Sequence, residues 1–139
     1  MKILFDTNII LDVLLLRKPY CGTAAYLLSR VERGDIEGYL CPTTITTIGY
    51  LISKVKGAGE ARRLIQNLLN IFELTELDKS VFKSACSHKI IDFEDAVLHE
   101  SARLDHVDGI VTRNGKVFRN ASLKIYDPDE LLAILKTLT

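Results

Sequence analysis

The sequence predicts an α/β fold: a three-layer sandwich in which a mostly parallel sheet of about five strands is flanked by helices on both faces. Three observations predict it. Short apolar runs of strand length alternate with segments of helical period along the whole chain. Helical segments separate the strand candidates, with a loop between the last two, an order that argues for a mostly parallel sheet. No repeat, low-complexity tract or long linker interrupts this alternation, so residues 1–139 read as a single domain, within the usual domain length of roughly 100–200 residues.

Residues 2–6 have the apolar content of a strand, and 8–16 continue as an apolar helix. Ala24, Leu27, Leu28 and Val31 give a second helical face, closed by Gly34, before the strand "IEGYLC" at 36–41. The segment "PTTITTIGYLISKV" is rich in β-branched residues, yet Ile45, Ile48, Ile52 and Val55 keep a helical interval and Pro42 suits a first turn, so a helix is expected. Ala61, Leu64, Ile65, Leu68 and Leu69 carry the clearest helical period in the chain. "IFELTEL" (71–77) alternates as a strand does, Val81, Phe82, Ala85 and Cys86 mark a helix, and 93–104 mark another. Two late strands follow, "GIVT" (109–112) and "LKIY" (123–126). The last helix opens with Asp127, Pro128 and Glu130, a cap, a first-turn proline and the acid of a capping box.

Composition narrows the function. Lys plus Arg equals Asp plus Glu at 18 each, so the chain is no polycation and any nucleic-acid contact must be a local patch. Cys21, Cys41 and Cys86 are odd in number and widely spaced. They fit neither a disulfide framework nor a zinc motif, and read as reduced and mostly buried. Only three apolar residues separate Lys2 from Asp6, and Asp12 interrupts the most apolar run. A cytoplasmic protein without a membrane span is therefore expected.

The chemistry concentrates in carboxylates. Asp6 ends the first strand, and in open parallel sheets ligands sit beyond the carboxyl ends of strands. Asp92 and Asp95 in "IIDFEDAVLHESA" are three apart and share a helical face, whereas Glu94, roughly 200° around from Asp92, is expected to look elsewhere. Three acids meeting without a basic partner would suit a hard divalent cation, Mg²⁺ or Mn²⁺, bound through oxygen. The absence of His and Cys from these positions disfavours zinc. Each acid has an alternative use as a helix cap. His99, one turn after Asp95, either faces the cleft or is hydrogen-bonded elsewhere. Asp12 either leans towards the site or is buried. His88 and His106 have no evident partner, and Asp108 lies at the opposite strand edge. No nucleophile elbow, P-loop or dinucleotide glycine pattern is present.

Taken together, "ILFDTNIILDVL", "DFEDAVLHESA" and "GIVTRNGKVF" resemble the PIN domain family in order and spacing, including the single-domain toxins of bacterial toxin–antitoxin pairs. The resemblance implies a parallel α/β sandwich and a Mg²⁺- or Mn²⁺-dependent ribonuclease. It also implies an antitoxin partner and a homodimer. It assigns Asp6 and Asp95 to metal binding with Asp92 beside them, and Asn8, Thr112 and Asn114 to the surrounding polar set. Arg113, Lys116 and Arg119, with Arg17 and Lys18, are the expected phosphate contacts. Tyr20 is a candidate for base stacking, and Phe118 for stacking or the core. Two family acids are missing: Thr47 stands where a glutamate is common, and Asn114 and Val117 stand where an aspartate is common. The alternative function is a catalytically degenerate domain of the same fold that binds RNA or a protein.

Overall fold

The computed structural model describes residues 1–138. Its elements follow the expected alternation: β1 (Lys2–Phe5), α1 (Thr7–Leu14), α2 (Cys21–Glu32), β2 (Glu37–Leu40), α3 (Pro42–Lys56), α4 (Ala58–Ile71), β3 (Glu73–Leu74), α5 (Lys79–Cys86), α6 (Phe93–Leu104), β4 (Gly109–Val111), β5 (Lys124–Tyr126) and α7 (Pro128–Thr137), with a 3₁₀ turn at Gly115–Phe118. The five strands form one sheet in the order β3-β2-β1-β4-β5, with every pairing parallel. The β-branched segment after Pro42 is a helix, as its apolar interval requires. "IFELTEL" is the main departure. The helix runs on through Ile71 and the strand shrinks to Glu73–Leu74, both exposed at the sheet edge.

Alternation along β1 divides the core. Ile3 and Phe5 face α1, α2, α3, α4 and α7, together with Val111. Leu4 faces α5 and α6, together with Cys41, Ile110 and Phe118. Burial on both faces explains why the strands read as continuous apolar runs. Of the three cysteines only Cys41 is buried, Cys21 being partly exposed and Cys86 exposed. The expectation that they are mostly buried fails because Cys21 opens one helix and Cys86 ends another. Among the described residues, no helix is long and apolar enough to cross a membrane.

The order of strands fixes where a ligand belongs. The chain steps outwards from β1 to β2 to β3, then crosses back to pair β4 on the other side of β1. The crevice between diverging connections therefore opens at the carboxyl ends of β1 and β4, the switch point that binds ligands in such sheets.

Close packing of helices on the sheet depends on one strand glycine in particular. A Cβ on Gly38 would lie 2.7 Å from both Phe72 Cε1 and Val31 Cγ1, and both side chains are core residues. Gly38→Ala is expected to destabilise the protein by about 1–3 kcal/mol through overpacking, measured as a lower denaturant midpoint.

Candidate active site

Asp6 stands at the switch point because β1 ends there. The register pairs Phe5 with Val111, and the Asp6 amide still donates to Val111 O, at 3.0 Å. The Asp6 carboxylate then turns into the crevice, 8% exposed. Its Oδ1 accepts from the Thr7 amide at 2.7 Å, capping α1, while Oδ2 accepts from the Thr112 hydroxyl at 2.7 Å. Capping and site placement, alternatives in the sequence, coexist because each uses a different oxygen.

Thr112 follows β4 and is itself pinned. Its Oγ1 accepts from the Asn114 amide at 3.0 Å, and Asn8 Nδ2 lies 3.5 Å from it and 3.4 Å from Asp6 Oδ2. Asn8 thus aims its donor at the pair, leaving its buried Oδ1 without a hydrogen-bond partner among the described residues.

The start of α6 completes the acid group. Asp92 is the N-cap, and its Oδ1 accepts from the Asp95 amide at 3.0 Å. Asp95 sits half-buried in the first turn. Burial, with the charges of Asp6, Asp92 and Glu94, pushes its carboxyl up to about 6. Asp6 is also raised, by burial first and further by Glu94, against the lowering pull of its hydrogen bonds from Thr112 and Thr7.

Glu94 is a correction to the sequence reading. It does not look away: its Oε1 accepts from the Thr47 hydroxyl of α3 at 3.4 Å. The angular count from Asp92 fails because Asp92 is a cap with extended backbone, φ −75° and ψ 124°, and not a helical residue. Among the described residues, no Lys, Arg or His forms an ion pair with Asp6, Asp92, Glu94 or Asp95. This all-oxygen donor set, with the buried unpartnered Asn8 Oδ1 beside it, fits Mg²⁺ or Mn²⁺ and not a softer metal.

The basic candidates divide into two groups. Lys116 and Arg119 line a surface cleft with Ile91, Asp92, Val117 and Asn120. Arg113 instead turns under α1. Its Nε and Nη2 donate to Asp12 Oδ2 and Oδ1 at 2.6 and 3.0 Å, and its guanidinium stacks 3.8 Å over the Tyr20 ring. Arg17 also approaches Asp12, at 3.8 Å. Asp12 is fully buried, so its alternative as a buried, hydrogen-bonded group is the one observed. Tyr20 meets an arginine here, and Phe118 belongs to the core at 1% exposure.

His99 points away from the acids, into a second polar network. Its Nε2 accepts from the Ser122 amide at 3.1 Å, which leaves the proton on Nδ1, 2.7 Å from Glu100 Oε2. His88, for which the sequence offers no partner, has Nδ1 accepting from the Ile90 amide at 3.1 Å and Nε2 3.8 Å from Glu100. These three residues are close enough to suggest a metal. However, both imidazoles have their far nitrogen occupied as an acceptor, whereas a metal-bound histidine donates from that nitrogen. Burial raises the Glu100 carboxyl, but Arg103, the short hydrogen bond from Ser84 and His99 outweigh it and hold it down to about 2. The network is structural.

Two outcomes follow from these networks. Arg113→Gln is expected to cost about 3 kcal/mol, measured by urea unfolding, because it leaves the buried Asp12 charge with only the distant Arg17. For Glu100, the unfolded chain binds more protons than the folded one between about 2 and the ordinary 4.5, so stability is present above that window and lost as pH falls through it. Unfolding free energy measured from pH 7 to pH 2 is expected to fall over this window, and Glu100→Gln to flatten the fall.

No curated protein matches the chain by sequence. Among solved structures, a chain of the FitAB complex bound to an IR36 DNA fragment is similar with a TM-score of 0.73 and 20% identity, covering 91% of this chain and 94% of that one. A chain of VapBC2 from Rickettsia felis, bound to a DNA fragment from its promoter, gives 0.67 and 16%, covering 91% and 98%. A toxin–antitoxin complex from Klebsiella pneumoniae gives 0.68 and 21%, covering 90% and 96%. At these identities the likeness concerns the fold. The sequence pattern of the PIN domain matches residues 2–116, which spans β1 through the turn that carries Asn114. The chain belongs to the PIN domain family.

Proposed function

We propose that this protein is a divalent-metal-dependent endoribonuclease that hydrolyses RNA phosphodiester bonds, acting as the toxin of a toxin–antitoxin pair. The observation that carries the reading is the meeting of Asp6, Asp92 and Asp95 at the switch-point edge without an ion-pair partner among the described residues. PIN domains are typically metal-dependent nucleases, and one similar structure is a toxin–antitoxin complex. Together these support both the cofactor class and the kind of partner.

In this reading Asp6 and Asp95 hold Mg²⁺ or Mn²⁺, and Asp92, the most exposed of the three at the cleft rim, orients water. The bound cation supplies charge neutralisation at the scissile phosphate and a lowered pKa for water. Thr112 acts through Asp6: its hydroxyl fixes the direction of Oδ2. Asn8 donates to the same pair. Asn114, exposed at the start of the 3₁₀ turn, offers a neutral side chain to the phosphate. Lys116 and Arg119, in the cleft beside Asp92, track the RNA backbone. Arg113 contributes by fixing the loop through Asp12 and not by meeting phosphate.

The test is cleavage of a mixed single-stranded RNA pool with Mg²⁺ or Mn²⁺, comparing wild type with Asp6→Asn. Metal-dependent cleavage falling at least about 100-fold in Asp6→Asn is expected, a loss equivalent to about 2.7 kcal/mol of transition-state stabilisation. Absence of cleavage with either metal, or equal cleavage by both proteins, would overturn the nuclease assignment in favour of an RNA- or protein-binding domain.

A further inference from the structure

The missing acid of α3 leaves a specific gap. Thr7 Oγ1 and Thr44 Oγ1 are 2.9 Å apart, so the start of α3 lies directly against the residue that follows Asp6. Thr47 is three residues further along the same helix and therefore shares that face. A threonine there reaches less far than a glutamate and carries no charge. Opposite it, Glu94 extends from the first turn of α6 until its Oε1 lies 3.4 Å from Thr47 Oγ1.

We infer that Glu94 takes the place in the cleft of the carboxylate that α3 lacks, serving as a fourth acid towards the divalent cation, with the Thr47 hydroxyl as its support. The inference rests on the metal site proposed above and adds a ligand to it. Two features of the surroundings favour it. Glu94 has no ion-pair partner among the described residues, although Lys and Arg together number 18 in the chain. Its partner Thr47 also stands one helical turn from Thr44, which touches the residue that follows Asp6. An exposed glutamate in a helical first turn needs no such position to serve the helix dipole. Here its side chain is turned across the cleft to another helix.

The consequence is that the site holds four carboxylates from two places, the end of β1 and the start of α6, with α3 supplying a hydroxyl to steady one of them. Cation affinity in oxygen sites follows ligand charge and number, so removing Glu94 must weaken binding even before any RNA is present.

Mn²⁺ titration by calorimetry, with free Mn²⁺ followed by its paramagnetic signal, tests this on the intact protein without measuring cleavage. Glu94→Gln is expected to weaken Mn²⁺ binding at least about tenfold, with Glu37→Gln, an exposed acid at the opposite strand edge, binding as wild type does. Thr47→Glu/Glu94→Gln returns the carboxylate to α3 and is expected to recover affinity to within about threefold of wild type. Thermal melts in chelator establish that each variant is folded. Wild-type affinity in Glu94→Gln, an equal loss in Glu37→Gln, or no recovery in the double variant would overturn the role of Glu94. If Asp6→Asn abolishes binding in the same series, the underlying metal site stands regardless. If wild-type protein takes up no Mn²⁺, the site and this inference fall together.

Discussion

The hydrogen bond from Thr112 to Asp6 is the contact on which the arrangement turns. It joins the tips of β1 and β4, the two strands between which the chain reverses its direction of travel across the sheet. A carboxylate 8% exposed is costly to hold charged unless its oxygens are satisfied. The Thr7 amide and the Thr112 hydroxyl satisfy Asp6 from two sides, yet burial still raises its carboxyl. The remaining imbalance is what a cation would relieve. The fold gathers acids at this edge and offers them few donors.

A different solution governs the other buried acids. Asp12 receives a bidentate arginine, and Glu100 receives Arg103, Ser84 and His99. Both are closed networks in which charge is answered within the protein. The contrast separates these carboxylates from those at the switch-point edge more clearly than burial alone, since Asp12 and Glu100 are buried more deeply than Asp6. Histidine follows the same division, with His99 engaged by Ser122 and Glu100 and turned away from the acid cleft.

The fold was largely legible in the sequence because strands buried on both faces and amphipathic helices leave strong periodic signals. Pro42 and the isoleucine spacing were enough to read α3 as a helix despite its β-branched content. The edge strand β3 was misjudged in length, since two exposed residues carry almost no pattern. At the site, the strand-end position of Asp6 and the spacing of Asp92 and Asp95 could be read directly. Glu94 could not, because its direction depends on where the helix begins and on a partner 47 residues earlier in the chain. Arg113 beside Lys116 looked like part of one basic patch, but neighbours in a turn diverge, and only the buried Asp12 determines which way Arg113 goes. A lone aspartate within an apolar run, Asp12, was the available hint that an arginine would be needed elsewhere.

Thr112 and Arg113 are consecutive, and they fasten two acids from the beginning of the chain, Asp6 and Asp12, across sequence separations of 106 and 101 residues. During synthesis those acids therefore wait without their holders until most of the polypeptide has been made. A partial chain contains the first carboxylate but not the contact that directs it. The arrangement of this edge is thus completed only when β4 docks beside β1, long after the first carboxylate has been made.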